Sequence, residues 1–189
     1  RGADDAEVRR PRARRSPQLV KQPIGILGGT FDPAHYAHLA IASAALRALG
    51  LEKILWLPTG TPPYRPAPVA AAAHRVAMLK LAIADEPRYA VDDRELRPDA
   101  SGFTYDSVKE MRETNPNAEF TLLMGSDQYA KRETWHRWAD IEKLCDIAVV
   151  ARPGWNIDAK SKTIPMTPLS ISASDIRARL GRGEDVAGM

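Results

Sequence analysis

The chain has 189 residues, 44% of them hydrophobic, which is enough for one sizeable core and too little for two full domains. Pro, Arg or Asp interrupts every apolar run before the roughly 18 residues that a membrane helix needs, so a soluble protein is expected. Charge is uneven: residues 1–21 hold seven Lys or Arg against three acids, a net +4, so the rest carries −1 of the total +3 and does not suggest nucleic-acid binding.

Residues 1–22 read as a basic, disordered extension, polar and without periodicity. The segment has no apolar core for a secretory signal, and an RNA-binding arm finds no support in it. The chain begins with Arg1 rather than Met, which fits upstream residues being absent. Residues 23–189 are expected to form a single domain. There, short apolar runs with strand character alternate with longer segments of helical spacing, the pattern of βαβ units.

The first strand is expected at IGIL, Ile24 to Leu27, and the first helix from about Tyr36 to Leu49. In that helix Leu39, Ala42, Leu46 and Leu49 recur at three- and four-residue intervals and Gly50 supplies the stop. KILWLP from Lys53 is the second strand. A helix over roughly Ala70 to Ala84 follows, with Val76, Leu79 and Ile83 on one side, then a strand at YAVDD from Tyr89. A third helix begins near Thr104 and ends before Asn115-Pro116. Strands at FTLLMG from Phe120 and IAVVARP from Ile147 complete five. Five strands joined by helical crossovers predict an α/β, doubly wound, mostly parallel Rossmann-like sheet with helices on both faces. Such sheets bind ligands beyond the carboxyl ends of their strands, here the loops after Leu27, Pro58, Gly125 and Pro153.

The loop after the first strand, GGTFDPAHYAH from Gly28 to His38, leads directly into a helix. Its paired glycines allow a ligand close to the backbone and tolerate positive φ, and the helix start offers free N–H groups and a positive dipole end to an anion. His35 and His38, three apart, share one face at the first turn, so both can reach one phosphate as N–H donors. Zinc is a competing reading, but two His with no Cys cluster do not complete a site. GxGxxG and GxxxxGK[ST] are absent, so ordinary dinucleotide dehydrogenases and P-loop NTPases lose ground.

A second constellation, SISASDIRARL from Ser170, reads as a helix start. Ser172 stands at the N-cap and Asp175 in the reciprocal position of a capping box. Ser172, Ser174 and Arg177 could then grip a polyphosphate from the side opposite the two His. Cys145, the lone cysteine, lies in the apolar stretch LCDIAVV. It reads as a buried small hydrophobe of a cytoplasmic protein rather than a catalytic thiol.

Together, GGTFDPAHYAH and ISASDIR resemble the paired signatures of the nucleotidyltransferase superfamily with an HxGH-type motif. GTPPYRP from Gly60, MLKLAIAD from Met78, DDRELRPDASGFTYDSV from Asp92, LLMGSDQYAKRETWHRW from Leu122 and ARPG from Ala151 resemble the bacterial nicotinate-nucleotide adenylyltransferases within it. The resemblance spans most of Ile24 to Leu180. It implies a transferase of pyridine-nucleotide (NAD) biosynthesis that moves AMP from ATP to nicotinate mononucleotide. It assigns His35, His38 and Arg177 to catalysis, and Gly28, Gly29, Thr30, Phe31, Ser172, Ser174 and Asp127 to ATP. Thr104 and Trp135 fall to the nicotinate, although Thr104 also suits a helix N-cap. Mg2+ is implied with ATP and without protein ligands; no nucleic-acid or membrane partner is implied, and a homo-oligomer is left open. Phosphopantetheine adenylyltransferase and a non-catalytic nucleotide-binding protein of the same fold are the alternatives.

Three departures from the family pattern stand out. Ala37 replaces the Gly of the signature, Tyr64 stands where related sequences often carry His, and the chain stops at Met189, short of the usual terminal helix. The stretch from Gly154 to Ile164 is also short.

Overall fold

The computed structural model describes residues 21–61, 66–150, 161–167 and 169–189. Six strands form one sheet: β1 (Gln22–Gly29), β2 (Lys53–Pro58), β3 (Tyr89–Val91), β4 (Ala118–Gly125), β5 (Asp146–Val150) and β6 (Lys162–Ile164). Their order is β3-β2-β1-β4-β5-β6 and every pairing is parallel. The strand order reverses between β1 and β4, which opens a crevice beyond their carboxyl ends. The α/β, Rossmann-like, parallel architecture expected from the sequence is therefore present. The sheet is one strand wider than expected, because β6 is a three-residue edge strand in which only Ile164 is buried.

Among the described residues five helices longer than one turn cover the sheet: α1 (Tyr36–Leu49), α2 (Ala72–Ala82), α3 (Thr104–Thr114), α5 (Trp138–Leu144) and α6 (Ala173–Gly181), with the short α4 (Ser126–Tyr129) directly after β4. Period-two alternation sends neighbouring strand residues to opposite faces. Ile26, Leu122 and Val149 pack with Val108 and Met111 of α3 and Ile141 of α5. Leu27, Leu123 and Val150 pack with Ala42, Ala45 and Leu46 of α1 and Leu79 of α2. Both faces are covered, so the strands read as continuous apolar runs rather than alternating ones.

Local chemistry fixes the element ends. Gly50 takes a left-handed conformation (φ 60°) and its N–H returns to the Leu46 carbonyl, closing α1 where the sequence placed the stop. At the other boundary Gln22 already belongs to the sheet, pairing with Ala118. The expected extension 1–22 therefore overlaps β1 at its last residue, and residues 1–20 lie outside the described residues. Among the described residues no helix is long and apolar enough to cross a membrane. Cys145 is buried in the core face of α3 and α5, and burial pushes its thiol up to about 12, so it is inert as a nucleophile.

Candidate active site

The loop between β1 and α1 is held by groups that are themselves buried. Phe31 adopts φ 49°, in the left-handed region, while neither Gly28 nor Gly29 needs a positive φ. This corrects the expectation that the glycines serve the turn by their φ freedom. The Phe31 ring is 1% exposed and packs on His38 (5.0 Å between centroids) and Trp56 (5.4 Å). Its side chain therefore backs the imidazole of His38 from the core side.

Next in the chain, the buried Asp32 carboxylate accepts hydrogen bonds from the N–H groups of Val69 (2.8 Å) and Ala70 (3.3 Å). The guanidinium of Arg75, 2% exposed, donates to the carbonyls of Thr30 (2.7 Å), Thr59 (2.9 Å) and Ala70 (3.2 Å). These two side chains tie the loops after β1 and β2 to the start of α2. Sequence reasoning missed both. Arg75 stands four residues before Leu79 and eight before Ile83, an inward-facing register that its charge masked.

His35 is the residue before α1 and His38 lies in its first turn. Their rings stack with centroids 3.8 Å apart. The His35 backbone N–H donates to His38 Nδ1 (3.3 Å), so in a neutral imidazole the proton sits on Nε2 and Nε2–H is the donor left for a ligand. Burial, and then the neighbouring His35, lower the His38 pKa to about 3, and burial lowers that of His35. At neutral pH both rings are uncharged, and they can offer N–H donors without a formal cation. The α1 start is less open than expected, because the Tyr36 N–H donates to the Met189 carbonyl (2.7 Å).

On the opposite flank, the Ser172 hydroxyl accepts from the Asp175 N–H (3.2 Å) and caps α6 as expected. The reciprocal half of the capping box gives way to another contact: the short Asp175 carboxylate accepts from Arg179 Nε (3.0 Å). Ser174 lies beside Ser172, with their hydroxyl oxygens 3.2 Å apart. Arg177 Nη1 donates to the Asp32 carbonyl and stands 3.9 Å from the Asp32 carboxylate. Arg177 is thereby held at the loop that carries His35 and His38, across 145 positions of sequence.

Beyond the switch point lies a cavity of 260 Å³, walled by Gly28, Gly29, Thr30, His38, Asp127 and Trp135 among others. His35, Ser172, Ser174 and Arg177 stand outside that lining. Thr104 and Gln128 also face it, and with Trp135 they border a second cavity of 580 Å³. Thr104 is the first residue of α3 and Phe103 takes the cap position, so the N-cap reading of Thr104 does not hold. Glu95, unassigned by sequence, is buried at the wall of the first cavity and accepts from the Ser107 hydroxyl (2.9 Å); burial raises its pKa. The loop after Val150 and Tyr64 lie outside the described residues.

A Cβ on Gly28 would meet no atom within 4 Å. The fold therefore tolerates alanine there, but the methyl would sit on the wall that a ligand approaches. Gly28→Ala is expected to leave the Tm within about 2 °C of wild type and to raise the KM for ATP about tenfold. Thermal melts and steady-state kinetics check this, and an unchanged KM would remove Gly28 from the nucleotide wall.

The cytidylyltransferase-like family model matches residues 26–179. A protein of Laribacter hongkongensis described as a probable nicotinate-nucleotide adenylyltransferase is 40% identical over 195 residues, covering 90% of this chain and 89% of its own length. A Bordetella petrii protein of the same description is 40% identical over 179 residues, with 88% and 90% covered. The chain belongs to the nicotinate-nucleotide adenylyltransferase family. A structure of the Plasmodium falciparum nicotinic acid mononucleotide adenylyltransferase complexed with NaAD superposes with a TM-score of 0.72 at 23% identity, covering 87% of each chain, and so shares the fold.

Within this adenylyltransferase framework, the described residues contain no group of three His, Cys, Asp or Glu side chains placed to hold one metal ion.

Proposed function

We propose that the protein transfers AMP from ATP to nicotinate mononucleotide, forming nicotinate adenine dinucleotide and pyrophosphate, with residues 23–189 acting as one nucleotidyltransferase domain. The observation that carries this reading is the pairing of two cavities at the switch point. One is walled by the glycine loop and His38, the other by Lys131 and His136, and Thr104, Gln128 and Trp135 line both. Two adjacent compartments suit two nucleotides whose phosphates must meet end to end.

In this reading a 5′-phosphate oxygen of the mononucleotide attacks the α-phosphorus of ATP in line. The new P–O bond forms as the bond to the bridging oxygen breaks, and pyrophosphate leaves with that electron pair. The attacking phosphate is already ionised near neutral pH, so the protein supplies alignment and stabilisation of charge building on the leaving group. His38 donates through Nε2–H, and His35 holds that tautomer through its backbone N–H. Arg177 brings a permanent cation to the same loop, while Ser172, Ser174 and the first turn of α6 present donors from the far side. Gly28, Gly29 and Thr30 give the triphosphate a backbone wall, and Asp127 lies where a ribose hydroxyl can donate to it. Trp135 offers a flat face to the pyridine ring and Thr104 a hydroxyl at its edge. Mg2+ accompanies ATP as substrate. The buried, inert Cys145 is compatible with a cytoplasmic enzyme.

A coupled pyrophosphate-release assay with ATP and each candidate acceptor tests the reading. Nicotinate mononucleotide is expected to be turned over at least tenfold more efficiently than phosphopantetheine. Brisk release with phosphopantetheine alone would move the protein to a sister activity. ATP binding without release from any acceptor would make it a non-catalytic nucleotide binder.

A further inference from the structure

We infer that Lys131 is the residue that selects the acid over the amide form of the pyridine nucleotide, by pairing its ammonium with the ring carboxylate; this rests on the function proposed above. The 580 Å³ cavity is lined by Thr104, Trp135, His136 and Lys131 among others, and among the described residues no Asp or Glu contributes to it. The permanent charge that those residues bring to it is positive. Trp135 provides an aromatic wall, and Lys131 lines the same cavity.

The neighbouring cations are directed elsewhere. Arg132 lies over the Tyr129 ring (4.3 Å) and 3.7 Å from Glu133. Arg137 lies over the Tyr105 ring (4.0 Å) and binds Asp140 at 2.8 Å. His136 packs at a tilt against Phe103, with centroids 4.4 Å apart. Among the described residues, Lys131 has no carboxylate within ion-pair distance.

Its backbone is nevertheless fixed. The Lys131 N–H donates to the Gln128 carbonyl (3.0 Å), and its own carbonyl accepts from the Thr134 N–H (2.9 Å) and hydroxyl (2.7 Å). A pinned backbone carrying an ammonium into the lining of an aromatic cavity, with no acid among the described lining residues, is a site for a planar anion. A pyridine ring with a carboxylate satisfies both features, whereas its neutral amide satisfies only the aromatic one.

The anion could also be the substrate's 5′-phosphate, and the test separates the two. In Lys131→Met, which keeps the apolar stem and removes the charge, kcat/KM for nicotinate mononucleotide is expected to fall about tenfold. That for nicotinamide mononucleotide should stay within about twofold, so that discrimination collapses. Lys131→Arg should retain most of the preference. Calorimetric affinities of the two mononucleotides give the same ratio where turnover of the amide is too slow. An equal loss for both nucleotides, which phosphate pairing would produce, or no loss for either, overturns the assignment while leaving the adenylyltransferase reading intact. A wild-type protein that uses and binds neither nucleotide overturns that reading, and this inference with it.

Discussion

His38→Ala is expected to lower kcat by about 10²-fold or more, the order of loss seen when a preorganised donor to developing charge is removed. Geometry explains why one imidazole carries so much of the effect. Its Nδ1 is committed to the His35 N–H, its ring is clamped between His35 and Phe31, and it faces the cavity at the glycine loop. Nε2–H therefore waits in place and needs no reorganisation as the leaving group gains charge. His38→Asn separates this role from a structural one. An Asn side chain can still accept the His35 N–H but is too short to reach where Nε2 reached, so it should fold normally and lose activity like the alanine variant.

Acid stability gives an independent reading of the same side chain. The folded-state pKa of about 3 lies below the ordinary 6.5, so between those values the unfolded chain binds the extra proton. The stability that the neutral buried ring allows is complete above pH 6.5 and drains away as pH falls towards 3. Denaturation at pH 6.5 and pH 4 should show wild type losing about 2 kcal/mol more than His38→Asn across that interval. Equal losses would place the His38 ring in water rather than in the packed stack, and unchanged steady-state kinetics in both variants would remove it from the chemistry.

The strands and α1 were legible because their signals are local. A parallel sheet covered on both faces writes itself as apolar runs, and α1 repeats its inward face every three or four residues up to Gly50. The glycine loop, the paired His and the Ser172 cap were likewise readable from short spacings. What could not be read depends on partners far along the chain. Asp32 carries no local signal of its role, yet its carboxylate serves the N–H groups of Val69 and Ala70, and its carbonyl serves Arg177. Glu95 became part of the wall only when the segment after β3 met α3 through Ser107. β6 has too few residues for any period to appear and exists because β5 leaves an open edge.

Arg75 is the clearest case, and its removal should produce the largest loss of stability. One guanidinium satisfies three backbone carbonyls from three segments, with the Asp32 charge nearby offsetting part of the penalty of burying it. Arg75→Met keeps much of the volume but leaves Thr30, Thr59 and Ala70 without their donor and Asp32 with only the more distant Arg177 as its cation. Breaking such a buried charged network costs about 3–5 kcal/mol. Against a typical total of about 5–15 kcal/mol such a loss leaves little folded protein to purify, so Arg75→Lys is the companion measurement. A lysine carries the charge but cannot present a planar fork to three carbonyls, and an intermediate loss of about 2 kcal/mol is expected. Urea midpoints at unchanged m-value report the loss; a loss under 1 kcal/mol in both variants would mean that the carbonyls find other donors. Since the same contacts hold the loop that carries His38 and anchors Arg177, the folded Lys variant should also show a reduced kcat. The scaffold and the chemistry share one buried cation, so a defect in the first reaches the second without any change to a group that touches substrate.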